Sequence, residues 1–152
     1  MFKSIKKANE FVLYRFLIAV LRRSYRKTPV YRNALSAAKE EYFIPAKNGG
    51  EKRRVHYKCA TCGRLFHNRP GAKEIAVDHI DPVVDPSVGF VDYDTLIDRL
   101  FNGKVQVLCN YKGERDGKRS CHYQKTKAER EILKETNRKL KDVGKHITTK
   151  ER

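Results

Sequence analysis

The sequence predicts a small α+β protein with helices at both ends and short strands between them. Apolar side chains recur at helical spacing in residues 3–42, whereas residues 53–66 alternate as a strand followed by a turn. From Cys121 to about Lys141 the residues are mostly Ala, Glu, Lys, Arg and Leu, which favour a helix. A length of 152 residues suits one compact domain with an appended arm.

The charge balance indicates a polyanionic partner. The chain carries 34 Lys and Arg residues against 18 Asp and Glu residues, a formal net charge of +16. Such a surplus favours nucleic acid, because each phosphate that a protein neutralises releases condensed counterions. An anionic membrane surface is the second candidate that this charge allows.

The most apolar stretch does not fit a membrane-spanning helix. Its apolar run within residues 11–21 is about half as long as the roughly 20 residues that a span needs, and Arg15 interrupts it. The run is followed by arginines and by no small-residue cleavage site, so it does not fit a signal peptide either. We therefore expect a basic helix in solution and no membrane partner, with a surface-bound amphipathic helix as the alternative.

The N-terminal elements follow from start and stop signals. A first helix is predicted over residues 3–26. Thr28 is a predicted N-cap and Pro29 a first helical residue, so a second helix is predicted from Pro29 to about Tyr42. Residues 47–54 are predicted as a flexible basic connector.

The remaining elements are short strands, loops and one long helix. Ser120 is the predicted N-cap of the long helix, and Asp92 or Asp94 that of a shorter one. The predicted extended stretches are residues 53–58, 74–80 and 104–109. The predicted loops are residues 83–91 and 110–120.

Four cysteines form the strongest single motif. Cys59 and Cys62 bring two thiolates to one tight turn, where Gly63 lets the backbone curl. Cys109 and Cys121 would complete a tetrahedral set across eleven intervening residues, an insertion that a metal tolerates because closure entropy grows slowly with loop length. In a reducing compartment, where thiols stay free, an even number of cysteines indicates a metal site in preference to disulfide bonds. We expect a structural zinc site that supplements a small core, the alternative being four free thiols.

The stretch VDHIDP, residues 77–82, concentrates Asp78, His79 and Asp81 at the end of a predicted strand. A structural strand has little use for two carboxylates and an imidazole so close together. At a strand end, one side chain can bind a metal while its neighbour addresses a water. His122 is a candidate further ligand, because it opens the long helix beside the fourth cysteine and the zinc site would fix its position.

The segments CATCG, VDHIDPVV, VQVLC and CHYQKT resemble, in that order, the HNH endonucleases, in particular small phage-type members with a four-cysteine zinc site. The resemblance covers residues 55–131, about half of the chain. It implies a ββα-metal (His-Me finger) core, which is a two-stranded hairpin packed on a helix around one divalent cation. On this basis residues 1–50 are a helical basic arm and connector, 51–143 the nuclease domain with its zinc site, and 144–152 a charged tail.

The resemblance also implies a role for each site residue. His79 corresponds to the general base that deprotonates the attacking water, and Asp78 and His122 correspond to ligands of the catalytic cation, which is Mg²⁺, Mn²⁺ or a similar ion. An imidazole with an ordinary pKa of about 6.5 suits the first role. A cation held by a carboxylate and an imidazole suits phosphodiester hydrolysis as a Lewis acid. The implied products carry 5′-phosphate and 3′-hydroxyl ends.

One position departs from the family pattern. The family has an Asn five residues before the third zinc cysteine, where it braces the hairpin and orients the catalytic His, but this sequence has Lys104 there. Asn102 is a substitute brace if the stretch stays extended, and Asn110 is a less favoured one. If neither Asn replaces the brace, Lys104 has another role in the site or the enzyme is slow.

Several of these residues also have structural explanations. Asp78 and Asp81 would serve equally in a capped turn before the following proline, and His122 would serve as a first-turn residue beside a zinc ligand. Asp81 is predicted to cap or support the site rather than to bind metal. The other histidines are predicted to be non-ligands: His56 on a strand face, His67 in a turn and His146 in the tail.

The favoured function is a metal-dependent endonuclease acting on double-stranded DNA, with RNA not excluded. One alternative is a zinc-stabilised DNA- or RNA-binding module with a decayed nuclease centre, which Lys104 favours. Another is an accessory nickase of a phage packaging or replication machine with a phage partner protein, and homing is a further role. A phage origin implies the bacterial cytoplasm. The predicted nucleic-acid contacts are Arg22, Arg23, Arg26, Lys27, Lys125 and Lys127.

Overall fold

The computed structural model describes Leu13 and residues 16–150, and for residues 141–150 it describes the backbone alone. Most of the predicted first helix before residue 16 and the side chain of His146 lie outside this description. Within the described part, residues 16–25 are helical (α1), and no helix there is long and apolar enough to cross a membrane.

The chain is a small mixed α+β protein, as the sequence predicts. Its strands form a three-stranded sheet in the order β1-β2-β3 and two separate two-stranded pairs, β4-β5 and β6-β7. After α1, the elements are α2 (Pro29–Ala37), β1 (Lys39–Pro45), β2 (Glu51–Lys58), β3 (Leu65–Phe66), β4 (Asn68–Arg69), β5 (Ala72–Lys73), β6 (Ile75–His79), α3 (Tyr93–Asn102), β7 (Val105–Cys109) and α4 (Cys121–Lys150).

Helix α2 begins as predicted and ends earlier. The hydroxyl of Thr28 caps its first turn by accepting from the Tyr31 N–H at 3.4 Å. The helix predicted to reach Tyr42 is wrong beyond Ala37, because strand β1 takes its place. Residues 42–44 are aromatic or β-branched, and such side chains favour the extended backbone of a strand.

Strands β1 and β2 form an antiparallel hairpin where a flexible connector was expected. The register runs from Lys39 opposite Tyr57 to Pro45 opposite Glu51. Residues 46–50 make the turn, in which Gly49 adopts a φ of +85° that favours glycine. The predicted connector is therefore wrong over residues 51–54, which belong to β2.

Strands β6 and β7 form the pair that carries both candidate sites. The register runs from Ile75 opposite Cys109 to His79 opposite Val105. Helix α3 lies between the two strands in sequence, and Asp92 is its N-cap through a 2.6 Å bond from the Thr95 N–H. The predicted strands at 74–80 and 104–109 and the predicted short helix are confirmed.

Helix α4 begins where the cap signal predicts and runs past the predicted end. The buried Ser120 accepts from the Tyr123 N–H through its hydroxyl at 3.4 Å, and the helical backbone continues to Lys150. The main core lies where β2, β3, β6 and β7 meet, with α2 packed against it. Its buried members are Cys59, Phe66, Ile75, Val107, Leu108, Cys109 and Tyr111.

Candidate functional site

The four cysteines lie around one point in the core. All four thiols are free, and their Sγ atoms lie within 4.8 Å of one another. Zn–S bonds of about 2.3 Å in a tetrahedron would separate the sulfurs by about 3.8 Å, and four thiolates are a donor set that zinc prefers. The predicted cluster is confirmed, and it could hold a metal such as zinc.

Backbone hydrogen bonds position the first two thiols of this cysteine cluster. The Cys59 N–H donates to the Arg64 carbonyl at 2.9 Å, and the Gly63 N–H donates back to the Cys59 carbonyl at 2.9 Å. Gly63 has a φ of +69°, which closes the turn. The Ala60 N–H donates to the Val107 carbonyl at 2.8 Å, which ties the turn to β7. Since β7 ends at the third cysteine and α4 begins at the fourth, the fold bridges the eleven-residue insertion.

The thiols have different acidities in this arrangement. Burial opposes ionisation of Cys59, but N–H groups of Cys62, Cys109 and Thr61 donate to its sulfur and lower its pKa to about 7. Burial raises the pKa of Cys109, and burial together with the neighbouring thiols raises that of Cys121. The Cys59 thiol is thus partly ionised at neutral pH, and a bound cation would favour the thiolate form of all four cysteines.

His79 ends β6 with its imidazole in a fixed orientation. The side chain is buried, at 7% exposure, and its Nε2 lies 2.9 Å from the carbonyl oxygen of Leu100 in α3. A carbonyl oxygen accepts hydrogen bonds and cannot donate one, so Nε2 carries the proton. In the neutral imidazole, Nδ1 therefore retains the lone pair that can take up a proton.

Tyr25 in α1 and Gly103 after α3 hold the same ring by packing. The centroids of the Tyr25 and His79 rings are 4.9 Å apart, and the planes are tilted by 37°. A Cβ atom at Gly103 would lie 3.1 Å from His79 Cδ2 and 2.3 Å from the Arg99 carbonyl oxygen, so the position has no room for a side chain. The predicted arm thus contributes directly to the surroundings of His79.

The hydroxyl of Tyr25 is buried and has no hydrogen-bond partner within the described residues. Burial raises the pKa of Tyr25 to about 12, with nearby Tyr31 and Asp78 adding to the rise. The phenol is therefore protonated at neutral pH. Its ring also meets Tyr31 and Phe101 edge to face, so Tyr25 packs as an aromatic core residue.

An ion pair links Asp78 in β6 to helix α4. The Lys125 ammonium lies 2.9 Å from Asp78 Oδ2 and also binds Glu129 one turn further along the helix. His122 precedes Lys125 by three residues, so the two side chains share one face of α4. The structure therefore brings the end of β6 beside the first turns of α4, with Asp78 25% exposed. Lys125 is bound to two carboxylates and is less available to phosphates than its sequence position suggests.

Within the described residues, neither Asn102 nor Lys104 forms a side-chain hydrogen bond to His79. Asn102 is the last residue of α3, not part of an extended stretch, and its amide donates to Asp98 at 2.8 Å. The side chain of Lys104 is exposed, while its carbonyl accepts from the Ile80 N–H at 2.9 Å. The Leu100 carbonyl is the contact that sequence reasoning missed. A backbone atom leaves no signal in the residue type.

The other predicted residues lie at the surface or in a separate cluster. His56 in β2 and His67, which follows β3, have Nε2 atoms 3.3 Å apart, and burial lowers the pKa of His56. Asp81 and Asn110 are exposed, whereas His122 is half-buried. The predicted phosphate contacts with exposed side chains are Arg22, Arg23, Arg26, Lys27 and Lys127.

Comparisons with known proteins add no assignment. No family model, curated protein or solved structure matches this chain.

Proposed function

We propose that this protein is a metal-dependent endonuclease of the HNH type that hydrolyses phosphodiester bonds in DNA. The observation that carries the proposal is the bond from His79 Nε2 to the Leu100 carbonyl, beside the partly exposed carboxylate of Asp78. It leaves a buried imidazole with a basic Nδ1 at the end of a strand, next to a candidate metal ligand. A structural histidine would have little need of that neighbour.

The arrangement also supports the family resemblance. The pair β6-β7 followed by α4 has the order of two strands and a helix that the resemblance implies, and the cysteine cluster accompanies it. In this reading the Leu100 carbonyl, Tyr25 and Gly103 orient the imidazole in place of the missing Asn.

Asp78 and His122 are the residues that would hold the catalytic cation. A carboxylate and an imidazole are donors that divalent ions accept, and Asp78 already neutralises one positive charge, that of Lys125. When bound, the cation would supply Lewis-acid stabilisation of the phosphate charge. Lys125 would have to give up its bond to Asp78 as the ion binds.

The proton transfer is assigned to His79. Neutral Nδ1 accepts a proton from a water whose oxygen attacks phosphorus, while the Nε2–H stays on the Leu100 carbonyl and stabilises the imidazolium that forms. The bond between phosphorus and the 3′ oxygen breaks, and that oxygen takes up a proton from a solvent water, while the imidazolium returns its proton to solvent. The products are a 5′-phosphate and a 3′-hydroxyl.

A second candidate function is a nucleic-acid-binding module that does not cleave. The ion pair of Lys125 with Asp78 favours it, because the ammonium occupies the carboxylate that the catalytic cation would need. The exposed Lys104 in place of the family Asn favours it too.

Cleavage of supercoiled plasmid discriminates between the two functions. The zinc-loaded protein, His79→Gln and the matched control His67→Gln are incubated with Mg²⁺, Mn²⁺ or EDTA. General-base loss predicts a rate lower by about 10²–10⁴-fold in His79→Gln, with the control close to wild type. Plasmid that stays intact in every metal but is retarded on a gel would support the binding module. Equal cleavage by both variants would remove His79 from the mechanism.

A further inference from the structure

The loop between the third and fourth cysteines, residues 110–120, has an ordered structure of its own. The Tyr111 hydroxyl donates to the Lys118 carbonyl at 3.0 Å, and Arg115 and Lys118 form a short antiparallel bridge. The Cys121 N–H donates to Cys109 Sγ at 3.2 Å, so the cysteine cluster closes the loop at its base. This loop is therefore held in place by the metal-binding end of the fold.

One side of the loop lines a groove with a cavity volume of about 830 Å³. Residues 71–74 and Tyr123 at the start of α4 also line it. Four cations and a single carboxylate, that of Glu74, contribute to its lining. The cations are Lys73, Lys112, Arg115 and Arg119.

Two guanidinium groups are oriented by aromatic rings in this groove. Arg115 lies 4.5 Å from the centroid of Tyr111, and Arg119 lies 5.3 Å from that of Tyr123. Arg115 is paired with Glu74, and Arg119 Nε lies 3.3 Å from Oε1 of the exposed Glu114 in the loop. The Arg119–Glu114 pair is exposed, and such pairs are worth about 0–1 kcal/mol, so a phosphate can replace that carboxylate at little cost, whereas Glu74 is only 20% exposed.

We propose that this groove binds the phosphodiester backbone of nucleic acid. Its four cations match the charge of successive phosphates, and Tyr123, at 45% exposure, offers an aromatic face to a sugar or base. The long insertion between two metal-binding cysteines then has a purpose, since the metal would hold a contact surface. The choice of nucleic acid as the ligand rests on the proposed function. Binding in this groove does not require that the protein cleaves the nucleic acid.

The test measures binding by the full-length, zinc-loaded chain carrying His79→Gln, so that cleavage does not interfere. Fluorescence anisotropy is recorded with a labelled duplex and with a single strand of the same length, over a range of salt concentrations. The groove variant is Lys73→Gln/Lys112→Gln/Arg119→Gln. The matched control, Lys47→Gln/Lys52→Gln/Lys58→Gln, removes the same charge from exposed positions of the β1-β2 hairpin and its end.

We expect the groove variant to weaken binding by about tenfold or more and to lower the salt slope by about 2–3, against less than about twofold for the control. Hydrogen exchange of residues 110–120 should slow when the nucleic acid is added. Tighter binding of the duplex would assign the groove to double-stranded DNA, and tighter binding of the strand to unpaired nucleic acid.

Equal loss of affinity in both triple variants would overturn the inference, since net charge alone would then explain binding. Absence of binding by the His79→Gln parent would overturn it as well. An intact plasmid in the cleavage assay together with a selective loss in the groove variant would leave the groove standing and remove the nuclease.

Discussion

The two ends of the β6-β7 pair differ in how their side chains are held. At one end, Ile75 faces Cys109 and the four cysteines come together, with Cys59 and Cys109 each 1% exposed, Cys121 half-buried and Cys62 exposed. At the other end, about 14 Å away at about 3.4 Å per residue, His79 faces Val105 and Asp78 remains partly exposed. A single five-residue strand pairing thus joins the cysteine cluster to the strand end that carries Asp78 and His79.

Under the proposed function, this difference separates a structural role for the cysteine end from a chemical role for the histidine end. The cysteine end gathers four identical donors, and a metal ion held by all four would have no further position for a substrate, as in structural zinc sites. The histidine end holds one ring through a carbonyl, an aromatic side chain and a glycine, which leaves the His79 Nδ1 outside these contacts, and the neighbouring Asp78 carboxylate is paired with Lys125. Changes at the first end should therefore affect folding, and changes at the second should affect orientation.

The largest effect is expected at the cysteine end. Cys59→Ser removes a candidate ligand from the cysteine cluster, and structural zinc contributes about 10–16 kcal/mol in zinc-finger peptides, as much as a domain's whole stability. The variant should lose its zinc and its cooperative thermal transition, measured by metal analysis and circular dichroism. Thr61→Ser in the same turn is the control and should unfold as wild type does. Wild-type melting of Cys59→Ser would contradict a structural metal.

The next effect is expected at the ring that supports His79. Tyr25→Ala removes a buried aromatic side chain and should lower the free energy of unfolding by about 3–5 kcal/mol in urea titrations, with zinc still bound. Tyr25→Phe is its matched control: it removes a buried hydroxyl that has no partner, so stability should stay within about 1 kcal/mol of wild type or rise. Equal losses in the two variants would mean that the hydroxyl, and not the ring, supports the site.

A smaller effect is expected from Gly103→Ala. The new Cβ would lie 2.3 Å from the Arg99 carbonyl oxygen, and overpacking of this kind costs about 1–3 kcal/mol. Because the clash also involves His79 Cδ2, the nitrogen NMR shifts of that imidazole should change. Gly50→Ala, where the Cβ meets open space at a permitted φ, should alter neither quantity. An unchanged His79 spectrum in Gly103→Ala would show that the glycine does not position the ring.

The sequence predicted the cysteine end better than the histidine end, and the reason is physical. Metal ligands are side chains with a recognisable spacing, so Cys59, Cys62, Cys109 and Cys121 could be grouped before their positions were known. The orientation of His79 depends on the backbone carbonyl of Leu100 and on Tyr25, which is distant in sequence, and neither has a motif. The same limit explains why the β1-β2 hairpin was not predicted. Residues 39–42 suit either a helix or a strand, and their pairing with β2 decides for the strand.

The smallest effect on stability is expected from a change beside Asp78, at the histidine end of the β6-β7 pair. Lys125→Gln removes the ammonium from Asp78 in a partly exposed pair, so stability should change by less than about 1 kcal/mol. Asp78 would then be free to bind a cation, and the affinity for Mn²⁺, measured by paramagnetic resonance on the zinc-loaded protein, should rise. Lys127→Gln removes the same charge from an exposed position on α4 and controls for net charge. Equal Mn²⁺ affinities in the two variants would mean that Lys125 does not compete with a cation at Asp78, and Asp78 would lose its assignment as a ligand if neither variant bound Mn²⁺.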